Sequence, residues 1–161
     1  ALAHKINLYM AKIFYNSKIA RIFTFLKDFK TIMLFGAVFT EEKELSDRAK
    51  FHEASHVEQY QTLFTTGLAL AVGIMFICFA FDCYGWWMSA LIAIPVFLFY
   101  VWYLVEFLIR LIMYRDADKA YRMIAFEQEA YDLENEYLKP CSERLTASSF
   151  SFFKYYRKRD A

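Results

Sequence analysis

The order of apolar and charged positions divides this chain into blocks. From Leu63 to Phe81 no charged residue occurs, and between Trp86 and Leu108 the sole one is Glu106. Each run holds roughly twenty residues, the length an α-helix needs to cross a hydrocarbon core. Asp82-Cys83-Tyr84-Gly85 parts them as a short polar break, and Trp86 and Trp87 follow as an interfacial aromatic belt would. Pro95 predicts a kink in the second run. The pattern predicts a mainly α, integral membrane helical hairpin with spans at about 63–81 and 86–108. The break carries no Lys or Arg, whereas Lys43, Arg48 and Lys50 precede the first span and Arg110, Arg115, Lys119 and Arg122 follow the second. By the positive-inside rule both ends of the hairpin, and both termini, face the cytoplasm across an inner (cytoplasmic) membrane.

The flanking blocks alternate differently. Over residues 1–30 apolar positions recur at helical spacing, at Ile6, Met10, Ile13 and Phe14 and again at Ile19, Ile22, Phe23 and Leu26, between scattered lysines and arginines. This predicts an amphipathic N-terminal helix or helix pair suited to anionic headgroups. Its lysines interrupt any run long enough for a signal-peptide core. Thr31 to Thr40 is short, apolar and β-branched at intervals, and is read as one strand in which Gly36 marks a bulge or a close backbone approach. Such a strand offers an edge on which an extended peptide can pair. Ser46 is placed to N-cap a helix beginning near Asp47, which runs on into the first span. After the second span, residues to Lys139 read as solvated helix ending before Pro140. Beyond it, 141–161 reads as a polar linker followed by the basic and aromatic stretch Phe152 to Arg159, suited to a membrane surface. Residues 31–140 thus form the central membrane domain between an N-terminal segment and a tail.

Candidate chemistry concentrates ahead of the first span, at His52-Glu53-Ala54-Ser55-His56. In this H-E-x-x-H pattern the two histidines sit one helical turn apart and can share a metal ion, with Glu53 as general base. Hydrolytic zinc takes three protein ligands. His4 is the only other histidine, so a carboxylate is expected, and Glu127 and Glu129 are the best placed. They lie about 200° apart around a helix, so only one of them faces the metal. Tyr121 or Tyr131 is a candidate to stabilise an oxyanion.

Composition agrees with lipid as part of the solvent: 58% of the 161 residues are hydrophobic and 20% aromatic, too apolar for a small soluble domain. Nineteen basic residues against eighteen acidic ones give no basic face for nucleic acid. Cys78, Cys83 and Cys141 form no C-x-x-C and predict reduced thiols, not a disulfide framework or a cysteine metal site.

The pairing of His52-Glu53-Ala54-Ser55-His56 with Glu127-Gln128-Glu129-Ala130-Tyr131, across two hydrophobic spans, resembles the gluzincin metallopeptidases. In motif order it is similar to their integral-membrane group, the CaaX prenyl proteases and bacterial heat-shock membrane proteases. Gln59 and Phe126 to Tyr131 also resemble a group of small bacterial proteins with H-E-x-x-H-x-x-Q and a later F-E-x-E-A-Y. The resemblance, over roughly Thr31 to Glu136, implies Zn2+ held by His52, His56 and Glu127, Glu53 as base, and peptide-bond hydrolysis at the cytoplasmic membrane surface. Gln59, Glu129, Tyr131 and Asp132 are then candidates for supporting hydrogen bonds or oxyanion contacts, Tyr131 standing where the protease pattern has Asp. The expected partners are membrane lipid and a peptide or membrane-protein substrate. Self-association through the small residues Gly67 and Ala71 is a further expectation. Two rival readings are a catalytically silent membrane binding or regulatory protein that retains a metal site, and a di-iron carboxylate protein. The latter normally needs a second E-x-x-H, which three histidines do not supply.

Overall fold

A computed structural model describes residues 12–23, 30–147 and 149–156. The chain divides into two compact units, residues 1–59 with 125–161, and residues 60–124.

The first unit contains a three-stranded sheet of β1 (Lys12–Phe14), β2 (Thr31–Leu34) and β3 (Ala37–Thr40). β3 is central, parallel to β1 and antiparallel to β2. The stretch read as one strand is therefore a hairpin. Phe35 and Gly36 both take positive φ, 51° and 77°, the backbone of a two-residue turn whose twist matches that of the strands it joins. Gly36 serves the turn and not a bulge, and the Ala37–Thr40 half, paired on both sides, is no free edge. Val38 and Thr40 are fully buried, and Phe14 stacks on Phe39 with ring centroids 4.9 Å apart. Lys12–Phe14, expected to be helical, is extended because it pairs with β3 from Ala37 to Phe39. Helix α1 (Lys18–Phe23) follows, with Ala20 buried. The remainder of the expected N-terminal amphipathic segment lies outside the described residues, as do Arg157 to Arg159 of the basic tail.

Helix α2 (Asp47–Ala80) runs without interruption for 34 residues. Its start follows the sequence: Ser46 Oγ accepts from the Ala49 N–H at 3.2 Å, satisfying one of the unpaired donors of the first turn. Residues 47–59 belong to the first unit, as does α5 (Ala125–Leu133), and in them Phe51, Ala54 and Val57 are buried, with the Phe51 ring 6.1 Å from that of Tyr137. The tail is no loose linker. Phe152 and Tyr155, in a 3-10 helix spanning Ser151–Tyr156, are buried at 1% and 2% exposure. Phe152 lies 4.5 Å from the Phe126 ring centroid, and Tyr155 Oη donates to Asp132. The segment before it is pinned as well, with the Leu145 N–H donating to Glu136 Oε2 at 2.9 Å. Glu134 and Glu136, expected on a solvated helix, are buried. α5 ends at Leu133 and these two carboxylates are taken up by Arg48 and by Lys139 with Leu145.

The second unit is the hairpin. α2 ends where Asp82 adopts φ 54°. The Cys83 N–H then bonds to the Cys78 carbonyl and the Asp82 N–H to Phe79, the double capping of a helix terminus by a left-handed residue. A 3-10 segment (Trp86–Ile92) leads into α3 (Ala93–Tyr114), and Asp116 caps α4 (Ala117–Arg122) through the Lys119 N–H at 3.1 Å. Pro95 falls in the first turn of α3, just past the change from 3-10 to α-helical backbone at Ile92 and Ala93. A Cβ on Gly67 would stand 2.7 Å from Pro95 Cα, so the two helices of the hairpin meet there backbone to backbone. Ala71, one turn on, is buried too. Tyr60, Phe99 and Tyr100 pack with centroids 5.4 to 6.0 Å apart and close the pair.

Both helical segments, 47–80 and 86–114, are long and apolar enough to cross a membrane, and their apolar windows are only 17% buried. The core helix of a soluble protein would be mostly covered. Here Phe76, Phe81 and Ile112 are about three-quarters exposed, at 73%, 75% and 77%. The threonine hydroxyls at the start of the first apolar run bond to their own helix backbone: Thr65 and Thr66 donate to the Gln61 and Thr62 carbonyls at 2.7 and 2.9 Å. Glu106 is buried, with Arg110 Nη2 3.4 Å away one turn on.

Candidate metal centre

α2 and α5 bring three donor groups together within the first unit. His52 and His56, one turn apart on α2, place their Nε2 atoms 3.3 Å from each other. Glu127, in the first turn of α5, lies with Oε2 3.4 Å from His52 Nε2 and Oε1 3.2 Å from His56 Nε2. Donors bound to zinc at about 2.0–2.1 Å in a tetrahedron stand roughly 3.3 Å apart. The two imidazole nitrogens have that spacing, each lies near a different oxygen of Glu127, and the three side chains form a group able to hold a metal ion, with one ligand atom each within 4.8 Å of the others. Glu129 does not join it. It is turned to Gln59 and Ser151, as expected for two positions on opposite sides of a helix.

Hydrogen bonds around His56 fix which nitrogen faces the triad. Gln59 Nε2 donates to the Phe126 carbonyl at 3.1 Å and to Glu129 Oε2 at 2.9 Å, both of them acceptors. The amide oxygen therefore points the other way, 2.9 Å from His56 Nδ1, and accepts its N–H. That leaves Nε2 as the ligand atom, the tautomer being set by the partner of the other nitrogen. Ser151 Oγ donates to Glu129 and anchors the far end of this chain.

The electrostatics follow from packing three ionisable groups under cover. Burial alone would push the His56 imidazole down, but the charge and hydrogen bond of Glu127, aided by Glu53 and Gln59, lift it to about 9. Burial raises the Glu127 carboxyl, and the two histidines overcome this and hold it well below the usual carboxylate range. Glu53 is raised, chiefly by burial and also by Glu127, against the opposing pull of His56 and His52. Nearby, burial pushes the Glu58 carboxyl up to about 7 although the Ala147 N–H supports its charged form.

The remaining predicted residues have different settings. Tyr131 lies with its ring 4.8 Å from that of His52. Asp132 accepts from Tyr155 Oη and is engaged by the tail. Tyr121 belongs to the second unit, with its ring 6.5 Å from Tyr103. Sequence reasoning missed Glu134, which pairs with Arg48 and places Oε2 3.9 Å from His52 Nδ1. Its spacing of two helical turns from Glu127 was a usable signal, since positions seven apart return to one face. Ser151 carried no such signal, because only the folded tail brings it to Glu129. Comparison of the chain with protein-family models, with curated proteins and with solved structures finds no match.

Proposed function

We propose that the protein is a zinc-dependent membrane metallopeptidase that hydrolyses peptide bonds at the cytoplasmic membrane surface. The observation that supports this most is the convergence of His52 Nε2 and His56 Nε2, 3.3 Å apart, on the two oxygens of the Glu127 carboxylate, with Glu53 beside them on the same turn. His52, His56 and Glu127 would hold the metal. Zinc so bound supplies a Lewis acid that polarises a substrate carbonyl and lowers the pKa of water toward neutrality. Glu53 takes the proton from the attacking water and passes it to the leaving amine. Its raised pKa suits this work, since a base poised nearer the operating pH both accepts and returns a proton efficiently. Gln59 holds His56 in the ligating tautomer. The outward apolar surface of α2 and α3 supports insertion in lipid, and the bias of Lys and Arg to the flanks of the hairpin supports a cytoplasmic site.

The test is elemental analysis of full-length protein purified in detergent, together with cleavage of a peptide library. Wild type should carry about one zinc per chain, as a site of this kind holds. Glu127→Ala should lose the metal. Glu53→Gln should keep it while cleavage falls by at least about 100-fold, the contribution of a general base. Zinc in wild type without cleavage under any condition would support the second reading, a silent binding protein that keeps its metal site. The ring of Tyr131 against His52 is the observation that favours that reading.

A further inference from the structure

The two ligand histidines differ in one respect. His56 Nδ1 is matched by Gln59, whereas His52 Nδ1 is buried and has no hydrogen-bond partner. A histidine that binds through Nε2 carries its proton on Nδ1, and a buried N–H calls for an acceptor. The atom standing off His52 Nδ1 is Glu134 Oε2, at 3.9 Å, about 0.7 Å beyond hydrogen-bond reach. Glu134 is itself buried, and its Oε1 is gripped by the Arg48 guanidinium. A fixed carboxylate is thus aimed at the one unmatched nitrogen of the triad.

We propose that Glu134, held by Arg48, is the positioning residue for His52, accepting its Nδ1–H when Nε2 serves as a ligand. A small rotation of either side chain closes the gap. Arg48 keeps the carboxylate from turning to solvent, and the ion pair spans from the first turn of α2 to the residue just past α5. The triad would then be braced from both sides, by an amide at His56 and by a carboxylate at His52. This inference rests on the metal reading and adds a residue to it.

Zinc affinity of the full-length, detergent-solubilised protein, measured by competition with a chelator, tests it. Outer partners of this kind are worth roughly 10- to 100-fold in metal affinity, so Glu134→Ala should weaken zinc by that factor and Glu134→Gln by less. Glu136→Gln is the control, since Glu136 is equally buried and ion-paired, with Lys139, but does not face the triad; it should leave zinc affinity at the wild-type value. With 15N-labelled histidine, zinc-loaded wild type should show a downfield Nδ1 proton for His52 that Glu134→Ala loses while helix content by circular dichroism stays unchanged. Wild-type affinity in Glu134→Ala, or equal losses in Glu134→Ala and Glu136→Gln, overturns the positioning role and leaves the zinc reading intact. Wild type that binds no zinc at all overturns both.

Discussion

The first thirteen residues of α2 and the rest of the same helix satisfy opposite demands. Between Asp47 and Gln59 the helix buries His56, Glu58 and Gln59 alongside apolar neighbours, and polar groups taken out of water cost free energy unless they find partners. His56 has Glu127 and Gln59, and Gln59 in turn has Glu129 and Phe126. Between Leu68 and Ala80 the helix does the reverse and leaves Leu68, Leu70, Phe76, Ile77 and Phe79 outward, with no polar partner needed. One backbone conformation therefore serves two kinds of surroundings. What changes is only whether the outward or the inward side chains carry the cost, and the proposed insertion in lipid would remove it for the second stretch.

Substitutions that treat the two stretches differently test this contrast. The largest effect is expected on the polar side, where Phe152→Ala removes a fully buried ring packed on Phe126 and should cost about 3–5 kcal/mol, read as a lower unfolding midpoint. On the apolar side, Val72→Asp places a charge near the middle of the first run and should cost roughly 2.5–3.5 kcal/mol of insertion in a membrane-insertion assay. If Val72→Asp left insertion unchanged and made the protein soluble without detergent, lipid would be the wrong solvent. Gly67→Ala is smaller. The added methyl meets the Pro95 backbone at 2.7 Å and should destabilise the hairpin by about 1–3 kcal/mol, measured by thermal unfolding in detergent. The smallest is a pH effect. With His56 protonated up to about 9 in the metal-free protein, zinc must displace its proton, so affinity should rise with pH below that value and level off above it. The slope is about tenfold, or 1.4 kcal/mol, per pH unit for one proton, measured by chelator competition between neutral and mildly alkaline pH.

The two long apolar helices could be read from the chain because a run such as Leu63 to Phe81 holds no charged residue and needs no help from distant residues to be recognised. The same holds for the two histidines and Glu53, whose juxtaposition needs only the helical period. Glu127 required a second segment, and its own motif marked it. Where pairing across the chain decides, local pattern misled. Lys12–Phe14 is three residues long and is a strand only because β3 lies beside it, so its spacing looked helical. Phe35 at positive φ is an unusual choice for a turn, and it hid a hairpin inside what looked like one apolar strand. Ser151 closes a stretch read as a polar linker and Tyr155 lies in one whose composition suggested a membrane surface, yet Glu129 and Asp132 supply acceptors for their hydroxyls that no local reading could foresee.

The orientation of the Gln59 amide has a consequence in formal charge. In the proposed site, neutral His52 and His56 with one Glu127 carboxylate would leave a divalent ion with an excess of one positive charge over these three groups. A carboxylate placed directly on His56 would add electron density to that ligand and move the local total toward zero. Gln59 instead receives the acceptors Glu129 and Phe126 on its nitrogen and offers an oxygen to the imidazole. It accepts from the imidazole as a carboxylate would, but as a neutral group that keeps Glu129 one residue removed, so His56 is oriented without a second negative charge placed directly on it.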